Sequence, residues 1–135
     1  MLITFAGYAV AMATLVVILF QIVMAIGAPW GHLAMGGRYP GKYPIRIRIA
    51  ALVQAFLLAL LALVVLIRAR MIWPEFYEAT DVGIWVVVVI YVMSLVMNLV
   101  TPSKWEKILW VPVALILTLG SLVVALCTST YGCIY

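Results

Sequence analysis

The side chains best suited to chemistry gather in one stretch. Ala28-Pro29-Trp30-Gly31-His32-Leu33-Ala34-Met35-Gly36-Gly37-Arg38-Tyr39-Pro40-Gly41-Lys42-Tyr43-Pro44 holds the one histidine of the chain, with a guanidinium and a phenol close behind it. An imidazole titrates near neutrality and can act as acid, base or ligand. His32 has no second histidine and no neighbouring carboxylate, so neither a metal site nor a haem is expected. General acid–base catalysis would need a partner that the sequence does not supply. The bolder expectation is a binding loop in which Trp30, His32, Arg38 and Tyr39 face a pocket. The plainer one is an interfacial turn that packs Trp30 and the tyrosines among lipid headgroups.

A second set consists of carboxamides set in apolar surroundings: Gln21, Gln54 and Asn98. Counted at 1.5 Å per residue from the inner ends of the first and third runs, and from Ile47 in the second, all three fall within roughly 10 Å of the same boundary. Tyr91, Ser94 and Asn98 share a helical face. Polar groups inside a membrane bundle favour its interior and one another. They therefore predict either a polar cavity capped by the first loop or interhelical hydrogen bonds that fix packing.

The elements that must position these groups are apolar. Of 135 residues, 69% are hydrophobic and 9% charged, against about 25% charged in ordinary soluble domains. Four runs, at about 2–27, 45–67, 83–100 and 104–127, have few strongly polar members. Each is near the roughly 20 residues that cross a bilayer as a helix. Hydrocarbon forces every backbone amide to bond internally, and the runs do not alternate as barrel strands do. The expectation is an all-α, integral membrane four-helix bundle of antiparallel up-down topology, a single domain over 1–135. The first run lacks a preceding basic residue and an evident small-x-small cleavage site, so it reads as a permanent span. Thr80 and Asp81 should cap the third helix, Pro102 should end it, and Ser103 with Glu106 has capping-box spacing for the fourth. Pro40-Gly41 suits a type II turn.

Charge sets the expected orientation. Arg38, Lys42, Arg46, Arg48, Lys104 and Lys107 fall on one side, while Arg68 and Arg70 on the other are offset by Glu75, Glu78 and Asp81. Cations concentrate on the cytoplasmic side, so both termini are expected outside. Trp30, Tyr39, Tyr43 and Trp105 should form an inner aromatic belt, and Trp73, Tyr77, Trp85, Tyr131 and Tyr135 an outer one. Arg46 and Arg48 oppose the dipole at the start of their helix, which points to lipid phosphate as their partner. Cys127 and Cys133 could form a disulfide if the outer side is oxidising. Ala51, Ala55, Ala59 and Ala62 offer a small-residue packing seam. Apart from Glu106 at the very start of the fourth, no acidic residue interrupts the apolar runs, which disfavours a proton-coupled transporter, and no basic tract suits nucleic acid.

The segments Gly27-Ala28-Pro29-Trp30-Gly31, Gly36-Gly37-Arg38, Ala50-Ala51-Leu52-Val53-Gln54, Asn98 with Thr101-Pro102-Ser103, and Trp110-Val111-Pro112-Val113 resemble a group of small, uncharacterised four-span bacterial membrane proteins. The resemblance covers most of the chain and implies a bacterial inner-membrane address, multi-pass, without implying an activity. The combined expectation is a non-catalytic accessory or ligand-binding bundle with an inward-facing polar cavity, surrounded by membrane lipids, without cofactor, and open to homo-oligomers or a larger membrane complex. The alternative is a small membrane enzyme or carrier for a lipid or quinone-like molecule.

Overall fold

A computed structural model describes residues 1–129. Four helices account for most of them: α1 (Leu2–Ile26), α2 (Ile45–Arg68), α3 (Asp81–Val100) and α4 (Lys104–Ser129). All are long and apolar enough to cross a membrane. Side chains such as Phe5, Phe56, Met97 and Ile108 face outward and exposed, as a hydrocarbon solvent allows. This is the build of a small multi-pass membrane protein.

Packing is uneven. α1 lies against α2 and α4, and α3 lies against α4, whereas α2 and α3 hardly touch. Lipid gives no hydrophobic drive for helices to associate, so close approach through small residues must do it. Gly120 meets α1 so closely that a Cβ there would overlap the Val10 side chain. Ala6, Val10 and Ala13 of α1 and Ser121, Val124 and Ala125 of α4 are all buried. The alanine seam of α2 is only partly as expected: Ala51, Ala55 and Ala62 are buried, but Ala59 is exposed.

The helix ends correct several expectations. α3 starts at Asp81, yet no side chain caps it. Thr80 instead donates its hydroxyl to the Tyr77 carbonyl at 2.8 Å, and Asp81 is drawn to Arg68. Half of the α4 capping box forms: the Glu106 amide donates to Ser103 Oγ at 3.4 Å, while the Glu106 carboxylate turns elsewhere, as described below. In the first loop, Gly41 N donates to the Tyr39 carbonyl at 2.9 Å. That bond closes a three-residue turn around Pro40 rather than the expected type II turn. α4 continues helical through Pro112.

At the end of the bundle away from the first loop, Arg68 is 2% exposed. Its Nη2 donates to Asp81 Oδ1 at 2.6 Å and to the Thr128 carbonyl at 3.0 Å. Nε donates to Thr128 Oγ1 and Nη1 to the Tyr77 carbonyl, both at 3.0 Å. The Tyr77 ring lies 4.1 Å from the guanidinium carbon, and Tyr77 OH also donates to the Thr128 carbonyl. One cation thus ties α2, the connection between α2 and α3, α3 and α4. Arg68 was expected only as a cation of the second connection, offset by nearby acids, and Tyr77 as an anchor in the outer aromatic belt. Both turn inward because a desolvated guanidinium needs several acceptors.

Arg68→Lys keeps the charge but cannot serve four acceptors in that geometry. Losing even one or two hydrogen bonds to a charged group costs about 2–4 kcal/mol, so the variant should unfold at clearly lower temperature in mild detergent. An unchanged melting curve would show that the clasp is dispensable.

Candidate functional site

The gap between α2 and α3 is a cavity of about 1070 Å³. Ala51, Gln54 and Leu58 line it from α2; Tyr91, Ser94 and Asn98 from α3; Val17, Phe20 and Gln21 from α1; Trp110 and Ala114 from α4. Met35, Gly36 and Arg38 of the first loop close one end. α2 and α3 are held together at the Arg68 end and part towards the first loop. Gln54 and Leu57 of α2 and Ile90 and Met97 of α3 line the cavity and are exposed, so it opens between these two helices.

The cap is built from the first loop and the start of α4. Ser103 Oγ donates to the His32 carbonyl at 3.1 Å, Gly36 N donates to Glu106 Oε2 at 2.8 Å, and Trp110 Nε1 donates to the Leu33 carbonyl at 2.7 Å. Ser103, just before α4, and Glu106 and Trp110 within it recur at helical spacing on one face. Thr101 Oγ1 adds a 2.7 Å bond to the same Glu106 oxygen. Phe20 of α1 stands edge-on to Trp110 with ring centres 4.7 Å apart. Gly31 donates to the Gly41 carbonyl at 3.0 Å and is packed so tightly that a Cβ would overlap the Tyr39 carbonyl oxygen. Glycine is needed there for room, not for an unusual backbone angle.

Of the residues that sequence reasoning singled out for ligand binding, Gln21, Arg38, Gln54 and Asn98 line this one cavity. Trp30, His32 and Tyr39 do not. Trp30 and His32 are exposed, and Tyr39 is half-buried against the Tyr43 ring. The expected interhelical bonding among the carboxamides does not form. Asn98 Nδ2 donates to the Ser94 carbonyl of its own helix at 2.8 Å, and Gln21 and Gln54 have no hydrogen-bond partner among the described residues. Deeper in the bundle, the hydroxyls of Thr14 and Tyr91 lie next to each other, both buried and neither in good hydrogen-bonding geometry with any group.

Sequence reasoning missed several lining residues, Glu106 and Tyr43 among them. Glu106 sits in the first turn of α4, where it read only as a capping residue. Tyr43 was expected at the headgroups but is buried, 5% exposed. Burial first, and then the Glu106 charge, push its phenol above the usual tyrosine range, so it stays a neutral donor. Arg48 Nε donates to the Tyr43 carbonyl at 2.9 Å, and its guanidinium packs on Gly27 at the end of α1. A cation there is favoured by the negative end of the α1 dipole, a protein partner that the lipid-phosphate expectation overlooked. Arg46 is exposed. Cys127 is buried near the end of α4; its expected disulfide partner, Cys133, lies outside the described residues, as do Tyr131 and Tyr135. Among the described residues no group of three or more histidine, cysteine or acidic side chains could hold a metal ion. Comparison with protein-family models, curated proteins and solved structures returned no match to this chain.

Glu106→Ala should free the Gly36 amide and loosen the cap. In detergent, trypsin should then cut after Arg38 and Lys42 several-fold faster than in the unaltered protein, with Gly31→Ala producing a similar or larger effect. Equal cleavage rates in all three proteins would show that these contacts do not hold the loop.

Proposed function

We propose that this protein is a non-catalytic lipid-binding bundle that takes an amphiphile sideways from the bilayer, between α2 and α3. The observation carrying this reading is the carboxamide set. Gln21, Gln54 and Asn98 line one cavity, and none of them bonds to another helix. An amide left without a partner in hydrocarbon costs several kcal/mol, so such side chains persist where something else satisfies them. The remaining lining is mostly apolar, as suits a ligand tail. The volume of about 1070 Å³ lies just above the roughly 300–1,000 Å³ typical of ligand pockets.

Binding is favoured over catalysis because His32, the natural acid or base, is exposed and outside the cavity. The orientation that accompanies this reading puts the first loop in the cytoplasm and both termini outside, in a bacterial inner membrane. Its support is the positive-inside pattern together with the resemblance to small four-span bacterial proteins.

Native mass spectrometry of the chain released from mild detergent should show one retained lipid-sized adduct. Gln21→Leu and Gln54→Leu should each weaken retention about fivefold, the worth of one hydrogen bond near 1 kcal/mol. Ala50→Trp, which fills the mouth, should abolish it. A chain that emerges bare and takes up no added lipid would overturn the reading. Orientation has its own check: in intact cells a membrane-impermeant amine reagent should spare Lys42 and Lys104, and labelling of either would invert the topology.

A further inference from the structure

Given the lipid-binding reading above, we infer that the cavity selects an amphiphile whose head is uncharged and carries hydroxyl or carbonyl oxygens, and rejects one headed by phosphate. The polar groups inside are chiefly neutral and two-sided. A carboxamide offers both a donor and an acceptor, which matches an alcohol or an ester and makes a poor exclusive host for an anion. Tyr43 adds a phenol that burial and the Glu106 carboxylate keep in its neutral form.

Depth points the same way. Counted along the helices at 1.5 Å per residue, Asn98 lies about 3 Å, Gln21 about 8 Å and Gln54 about 14 Å in from the ends nearest the first loop. A head that uses all three must sink well below the level of lipid phosphates. A phosphate drawn that far would be stripped of water and would leave behind Arg38, the one cation in the lining, which stays exposed in the first loop at the cavity's end. On the way it would meet Glu106, a half-buried carboxylate with one oxygen already fixed by Gly36 and Thr101. Like charges at short range in a poorly hydrated site repel strongly. The exposed cations of this end, Lys42, Arg46, Lys104 and Lys107, hold phosphates at the surface instead. A neutral head can pass beneath them.

The test compares two probes with the same brominated oleoyl tail, a monoacylglycerol and a lysophosphatidate. Each is titrated into the full chain in mild detergent while quenching of tryptophan fluorescence is read. Trp110 lines the cavity, and Trp110→Phe gives the quenching due to the micelle alone. Monoacylglycerol should bind about tenfold or more tightly than lysophosphatidate, roughly the effect of one unfavourable charge contact, and Glu106→Gln should narrow that ratio by improving the phosphate probe. Equal or tighter binding of lysophosphatidate to the unaltered protein would overturn the head-group inference while leaving lipid binding intact. If neither probe quenches beyond the Trp110→Phe level, lipid binding itself fails and the inference with it.

Discussion

A single desolvated guanidinium governs the shape of this molecule. Arg68 ends α2 and is enclosed by acceptors from the following connection, from α3 and from α4. A buried cation that is fully surrounded is tolerated, but one missing an acceptor is expensive. The ends of α2, α3 and α4 are therefore fastened at one level. Arg70 also lies over the Tyr77 ring, 4.3 Å from its centre, which reinforces the same junction. With no comparable tie further along, α2 and α3 diverge, and the space between them is the cavity.

The opposite end is held by different chemistry. There the first loop has few side chains of its own to make a core, so it borrows from α4. A serine, a carboxylate and an indole at helical spacing satisfy two carbonyls and one amide of the loop. α2 takes little part in this junction. One side of the bundle is thus braced at both ends, whereas the α2–α3 side is braced at one.

Much of this architecture was legible in the sequence. Run length and the scarcity of charge identify four spans because hydrocarbon leaves a backbone no alternative. Gln21, Gln54 and Asn98 could be placed at one end because helical rise converts position into depth. The partners of those groups could not be read. Whether amides on different helices meet depends on how far α2 and α3 splay, and that depends on Arg68, whose acceptors at Tyr77 and Thr128 lie 9 and 60 residues further along. Glu106 illustrates the same limit. Its spacing from Ser103 signals a local cap, but the Gly36 amide, 70 residues earlier, competes for the carboxylate and wins. Tyr43 and Tyr77 misled for a related reason: their type suits the interface, while Tyr77 finds its acceptor at Thr128 and Tyr43 is buried. Arg68 did carry one signal, as a cation ending an apolar run at the same end as Asp81.

The cap has a consequence for biogenesis. Every hydrogen bond joining the first loop to α4 spans at least 70 residues, and chains are inserted from their N-terminus onward. When α1 and α2 first reach the bilayer, the glycine-rich segment between them has no indole, carboxylate or serine to settle on. It must wait at the surface until the last helix arrives. The roof of the cavity is therefore the final part to be finished, and a chain stopped short of α4 would leave its lipid-facing slot without a ceiling.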